Sequence, residues 1–418
     1  MDHPFSRAAR NRAIVALIAM RTVYAFNWFD IGAGLPSILR EYGVSTADAG
    51  WLVAVFFLGA GAMQLPAGLL ARRWGTKPVT FLGAAVLGAA ALASSVAPDF
   101  SLLVALRFTV GLGAGLFFSP AIALVTELFP PGERGLPVGT FTSSFSLGAG
   151  LGVFLPALLL SEIGWRGALA LGGMLMLGVL VAGVSQIPSA AGLAAPAERR
   201  PPKGVPAPLR SLPIWAIGFA FIGLEGASLS SGQYFILYAT SIRGATYVVA
   251  GILGALFVFP SLFGGPVGGW LTERFTNRRT QMFLFTALPG LLFLAIPFAG
   301  FTAIGLIAVT FSFCYGMVYP IMYVLPPYLP GLTLEDLSLS IGLLNMIQLA
   351  GGGMVALAMA EVIQGYGSTS TGYTVAWVLM GLITATTLVF LLLVPRTGPH
   401  YSSALRDGPS GGPGTSSD

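Results

Sequence analysis

The chain is predicted to be an all-α polytopic membrane protein with twelve transmembrane helices in two six-helix bundles. Three observations carry that prediction. Hydrophobic residues make up 55% of the 418 residues and charged residues 9%, and mean hydropathy is +0.82. A soluble domain carries about a quarter charged residues, so this chain lacks the polar surface that water requires. The apolar residues fall into long continuous runs with the charges gathered between them. A small charged motif also recurs at matching places in the two halves, as "GLLARRWGTK" at 68–77 and "GWLTERFTNRR" at 269–279.

A helix crosses the hydrocarbon with roughly 20 apolar residues. Runs of that kind occupy 13–37, 48–71, 78–98, 101–125, 137–160, 167–187, 213–240, 247–272, 281–300, 303–329, 338–364 and 373–395. They are continuous, unlike the short alternating strands of a membrane barrel. They leave no amphipathic helices to face water, which excludes a large soluble core. The first run is too long for the apolar core of a cleaved signal peptide and lacks a small-residue cleavage site, so it is expected to stay in the mature protein. After the sixth run, residues 188–212 ("PSAAGLAAPAERRPPKGVPAPLRSL") read as a semi-extended linker rich in Pro and Ala. The expected organisation is a cytoplasmic segment 1–12, a bundle 13–187, the cytoplasmic linker 188–212, a bundle 213–395 and a disordered cytoplasmic tail 396–418, rich in Gly, Ser and Pro.

Charge placement orients these runs. With the N-terminus in the cytoplasm, sixteen of the 21 Lys and Arg fall on the inner face, and Arg40, Arg166 and Arg243 on the outer. The positive-inside rule then puts both termini in the cytoplasm. The net charge of +5 reflects this topology and does not indicate nucleic-acid binding. Arginine far exceeds lysine and the loops are short, which fits a prokaryotic plasma membrane. Cys314 is the only cysteine, and the two histidines, His3 and His400, lie in the terminal segments. That excludes an internal disulfide, a Cys-rich metal site and histidine chemistry inside the membrane, and no cofactor is expected. A membrane enzyme would lack its catalytic constellation. A sensor's cytoplasmic domain would find no room in the linker or the tail.

Gly68 and Gly269 each close the second run of their half, 201 positions apart. An offset of six runs preserves topology, so the halves read as parallel repeats related by an axis along the membrane normal. The motif resembles the loop signature G-x-L-a-D-r-x-G-r-k of the major facilitator superfamily. Gly68, Leu70, Ala71, Arg73, Gly75 and Lys77 match it, with Arg72 at the acidic position; Gly269, Leu271, Glu273 and Arg274 match in the second half, where Thr276 replaces the later glycine. "RFTVGLGAG" (107–115), "LFPPGERG" (128–135) and "GWRGAL" (164–169) are similar to further recurrent elements of that family, and the resemblance covers residues 13–395. It implies a secondary transporter with a single site between two rocking halves, lined by spans 1, 4, 7 and 10. One cavity per chain makes a monomer the default. The charged loops would serve as gates through contacts made in one state and broken in the other. Arg72 in the acid's place weakens that latch in the first half. The alternative is that these arginines only set topology.

Ionisable side chains inside spans cost at least a few kcal/mol and are functional candidates by default. Here they are Arg21, Asp30, Arg107 and Glu225. Arg21 and Asp30 are nine residues apart and so point to opposite sides of span 1. Arg21, two turns from the cytoplasmic end, is also within reach of snorkelling. "NWFD" (27–30) resembles the N-Y-x-D-R motif of the anion:cation symporter branch, which implies that Asn27 and Asp30 lie near the substrate path. Ile31 stands where that motif has arginine, and Ala114 where the branch has a span-4 glutamate. Arg107 suits either a bound anion or an acid within the fold. Glu225 shares a face with Ser228 and Gly232 and reads either as a proton site or as a hydrogen-bond partner of a neighbouring helix.

Tyr315, Tyr319 and Tyr323 recur every four residues along span 10 as one stripe. They offer hydroxyls to a polar substrate, or else form a packing face. Pro320 and the pair Pro326–Pro327 are expected to bend that helix. Asn345 and Gln348 add polar groups in span 11. The expected activity is secondary active transport of a small polar metabolite, an organic or inorganic anion, with protons coupled through Asp30 or Glu225. The alternative is proton-coupled export of lipophilic drugs.

Overall fold

The computed structural model describes residues 5–129, 135–188, 206–274, 277–332 and 336–395, which form helices and turns with no strand among them. Span 1 is α1 (Arg7–Phe29), a 3-10 turn (Gly32–Gly34) and α2 (Leu35–Tyr42). Span 2 is α3 (Thr46–Ala62) with α4 (Gln64–Trp74), span 3 is α5 (Thr76–Ser94), and span 4 is α6 (Phe100–Leu128). Spans 5 and 6 form α7 (Gly135–Gln186), followed by the single turn α8 (Ala207–Arg210). Span 7 is α9 (Leu212–Ala220) with α10 (Ile222–Ser241), and span 8 is α11 (Tyr247–Leu256) with α12 (Ser261–Arg274). Spans 9 to 12 are α13 (Arg278–Phe293), α14 (Phe301–Val324), α15 (Leu337–Gly365) and α16 (Ser370–Thr386).

Among the described residues, eleven helical stretches are long and apolar enough to cross a membrane. One of them, Pro137–Gln186, has 50 residues, about 75 Å of helix and more than twice the hydrocarbon thickness. It breaks at Gly164, where φ is 63° and ψ −179°, a backbone that glycine adopts without a Cβ penalty. The packing shows the chain reversing there. Before the break, Gly148 lies against Thr22 and Gly152 against Phe26; after it, Gly172 meets Asn27 and Gly183 meets Met20. Span 5 thus runs parallel to span 1 and span 6 antiparallel, which restores twelve crossings.

The two halves repeat one packing scheme. A Cβ at Gly111 would fall 2.0 Å from the Phe56 carbonyl oxygen, and one at Gly316 would fall 2.4 Å from that of Ser261. Gly59 likewise approaches the Phe108 carbonyl, and Gly264 that of Phe313. Each pair is offset by 205 positions, four more than the 201 between Gly68 and Gly269. The charged loop of the second half therefore comes one helical turn sooner after the shared contact. Between halves, span 2 packs along span 11 and span 5 along span 8, while span 7 crosses the Gly32–Gly34 turn of span 1.

Two local expectations change. Span 10 continues as α-helix through position 320 and stops only before Pro326, where a 3-10 turn (Pro326–Tyr328) follows. A proline's ring is tolerated when neighbouring geometry adjusts, whereas two in succession remove consecutive donors and end the ladder. Breaks also occur where apolar runs gave no warning, at Asp30–Gly34, Met63, Phe221 and Phe257–Pro260. Most of the linker (189–205), the tail 396–418 and "PPGER" (130–134) lie outside the described residues.

The shared helix contacts leave no room for larger side chains. Gly111→Val is expected to destabilise the protein by at least the about 1–3 kcal/mol of core overpacking. Gly68→Ala, whose new Cβ meets nothing within 4 Å, should stay within about 0.5 kcal/mol of the parent. Thermal melting of both purified variants checks this.

Candidate substrate and coupling sites

Asp30 caps α1 at its C-terminal end, where the helix dipole disfavours an anion. Arg107 from span 4 answers that charge, with Nη1 3.2 Å from Asp30 Oδ1, and both residues are 1% exposed. Asn27 sits beside the pair and donates from Nδ2 to the carbonyls of Val23 (2.8 Å) and Gly172 (3.1 Å). A Cβ on Gly172 would come within 2.7 Å of Asn27 Oδ1 and 2.9 Å of Asp30 Oδ2, so glycine lets span 6 close over both. Phe56 lies under the Arg107 guanidinium at 5.1 Å. Asp30, Asn27 and Arg107 thus meet among spans 1, 4 and 6, inside the first half. Asp30 Oδ2, Asn27 Oδ1 and Arg107 Nε have no hydrogen-bond partner among the described residues.

Glu225 occupies the first turn of α10, created by the break at Phe221, where a helix N-terminus favours negative charge. Tyr315 donates to Glu225 Oε2 at 2.8 Å, and the Tyr319 hydroxyl bonds the same oxygen. The two phenol oxygens are 3.1 Å apart, and Tyr319 also lies 3.3 Å from Gln348 Oε1. Four of the sequence-selected residues, from spans 7, 10 and 11, therefore form one cluster. Asn345, three residues before Gln348, is buried at 6% exposure. The Tyr323 side chain lies outside the described set.

Arg21 does not snorkel. It is 6% exposed, and its guanidinium carbon lies 4.4 Å from the Tyr24 ring, 4.4 Å from Phe118, 4.8 Å from Phe145 and 5.8 Å from Phe141. Arg21, Tyr24 and Trp28 share one face of span 1, opposite Asp30. That face is flanked by spans 2 and 5, which carry contacts to the second half: Phe57 lies at Gly353 of span 11, and Ser146 Oγ is 2.8 Å from Ser261 Oγ. The sequence spacing separates Arg21 from Asp30, and the structure places Arg21 among rings of spans 1, 4 and 5 and Asp30 against Arg107. Also absent from the sequence reading is Gln233, which donates from span 7 to the Trp28 carbonyl across the halves. At the end remote from the N-terminus, the Thr46 amide donates to Gln364 Oε1 (3.1 Å), and its hydroxyl lies 2.8 Å from that of Ser368.

The charged loops are only partly described. Gly75 ends α4 with φ 91°, Gly68 is open to space, and Arg73 is exposed. Lys77 donates to the carbonyls of Val184 (3.3 Å) and Ile187 (2.5 Å), completing the end of span 6 within its own half. Next to it the Thr76 hydroxyl donates to Glu127 at 2.6 Å. The side chains of Arg72, Glu273 and Arg274, with Gly269, lie outside the described set.

Twelve crossings in two halves with one repeated packing scheme agree with a family model described as Major Facilitator Superfamily, which matches residues 17–356. The chain belongs to the major facilitator superfamily. Among similar proteins of the superfamily, one named probable nitrate/nitrite antiporter NarK1, from Thermus thermophilus, is 29% identical over 269 residues, covering 62% of this chain and 60% of that protein. One named 4-hydroxybenzoate transporter PcaK, from Pseudomonas aeruginosa, is 28% identical over 288 residues, covering 61% of this chain and 64% of that protein. The chain thus spans somewhat under two thirds of the length of these relatives. A crystal structure of a bacterial homologue of the human lysosomal transporter Spinster, inward-facing and occupied, superposes with a TM-score of 0.74 at 18% identity. It covers 93% of this chain and 97% of that one, and establishes the shared fold.

The buried pair makes a measurable prediction. Asp30→Ala and Arg107→Ala are each expected to destabilise by about 3–5 kcal/mol, because each leaves a buried charge uncompensated. The double variant should recover part of that loss, as a double-mutant cycle of melting temperatures would show.

Proposed function

We propose that this protein is a secondary transporter that moves a small anion across the cell membrane together with protons. The bundles 13–187 and 213–395, joined through 188–212, rock about a site between them. The Lys and Arg bias supports cytoplasmic termini, and a single site per chain supports a monomer. The relatives named for nitrate/nitrite and for 4-hydroxybenzoate support an anion as the substrate.

The observation that carries the reading is the hydrogen-bond arrangement at Glu225. An ionised carboxylate only accepts, while each phenol has one proton to donate. With Glu225 ionised, Tyr315 and Tyr319 both direct their protons to it. A proton on Glu225 makes it a donor, and the Tyr319 proton is then released toward Gln348 Oε1, 3.3 Å away. Protonation therefore redirects the hydrogen bonds that join spans 7, 10 and 11. Asp30 supports this role less, because Arg107 already neutralises it within one half. Export of lipophilic cations is also less supported, since Arg21 holds a buried positive charge among the rings of spans 1, 4 and 5.

Reconstituted in liposomes, the protein is expected to accumulate labelled nitrate or 4-hydroxybenzoate in response to a proton gradient. Glu225→Gln should abolish gradient-driven accumulation and retain exchange of substrate against substrate. Accumulation at the parental rate by Glu225→Gln would remove Glu225 from the coupling step.

A further inference from the structure

We infer that the cleft where the linker enters span 7 binds a phosphate group, carried by an anionic lipid headgroup or free in solution. The residues that line it belong to the linker end and the second half alone, so its occupancy is independent of the transported substrate.

The cleft, of about 290 Å³, opens between α8 and the turn after span 10. Ala207, Arg210 and Ser211 line one side, and Pro330, Gly331 and Leu332 the other. Gly331 turns the backbone there with φ 75°, which glycine adopts without a Cβ penalty. Two polar side chains of this cleft have nothing in the protein to bind. Ser211 is the N-cap of α9, yet its hydroxyl makes no capping bond, and Oγ is buried with no hydrogen-bond partner among the described residues. The local sequence explains why. Pro213 has no amide to give, and the amides of Ile214 and Trp215 both go to the Ser211 carbonyl. The exposed Arg210 guanidinium makes neither an ion pair nor a hydrogen bond among the described residues.

A second cation borders the same turn. Arg278, the first residue of α13, places its guanidinium carbon 4.2 Å from the centre of the Tyr328 ring, two residues before Pro330. It is 8% exposed, and its Nε and Nη1 are buried without a hydrogen-bond partner. Neither arginine meets a carboxylate among the described residues, so the turn carries uncompensated positive charge. Buried donors left in this state cost stability unless a partner from outside the chain meets them.

A phosphate group answers these features together. Its oxygens accept from the fork of an arginine and from a serine hydroxyl, and the N-terminus of α9, which begins at Leu212, favours negative charge. The cleft is at the lower end of the about 300–1,000 Å³ typical of small-ligand sites, which suits a headgroup-sized anion. Its level also suits a lipid: the apolar run of span 7 begins at 213, on the face that the Lys and Arg bias places in the cytoplasm. Arg199, Arg200 and Lys203 precede Arg210 in the sequence, and basic segments beside a span attract anionic headgroups.

The test is thermal melting of the purified full-length protein in neutral detergent, titrated with phosphatidylglycerol, phosphatidylcholine or inorganic phosphate at constant ionic strength. Phosphatidylglycerol is expected to raise the melting temperature, and phosphatidylcholine, whose choline offsets its phosphate, to raise it less. A shift with phosphatidylglycerol alone makes a lipid headgroup the source. An equal shift with inorganic phosphate makes the free anion sufficient. Arg210→Gln should weaken the apparent affinity about tenfold and Ser211→Ala about threefold. Because neither side chain bonds the protein, both variants should melt with the parent when nothing is added, which a purely structural role would not allow. Arg12→Gln removes an exposed cation far from the cleft in sequence and should respond as the parent does. The inference is overturned if neither phosphatidylglycerol nor phosphate shifts melting, if phosphatidylcholine acts as strongly as phosphatidylglycerol, or if Arg210→Gln and Ser211→Ala respond like Arg12→Gln.

Discussion

An ionised side chain in hydrocarbon costs at least a few kcal/mol unless something compensates it, and the helices around the four in-span charges of this protein are arranged to provide that compensation. Asp30 and Arg107 neutralise each other, and Gly172 lets span 6 cover them. Arg21 is surrounded by ring faces from spans 1, 4 and 5. Glu225 accepts hydrogen bonds from two phenols of span 10 and lies at the positive end of its own helix. Each solution draws on a different set of neighbouring helices, so the charges also specify which spans pack together.

The two halves share a backbone scheme and differ in the chemistry laid over it. Equivalent glycines bring span 4 onto span 2 and span 10 onto span 8, with carbonyl contacts too close for any side chain. On that common frame the first half presents an arginine among aromatic rings, and the second a glutamate among tyrosines.

Much of this architecture was legible because hydrocarbon enforces a simple code. Long apolar runs named the crossings, and the paired loops at Gly68 and Gly269 named the repeat. The tyrosine stripe and Glu225 were each visible through helical spacing, but their meeting joins residues about 90 positions apart and needed the packing of spans 7 and 10. The ring cage around Arg21 was hidden for a related reason. A helix that is apolar all round carries no signal for which neighbour each face meets, so spacing separated Arg21 from Asp30 without naming the partners of either. The breaks at Met63 and Phe221 were hidden because they interrupt hydrogen bonding without interrupting hydropathy, whereas the reversal at Gly164 falls in the gap between the runs 137–160 and 167–187.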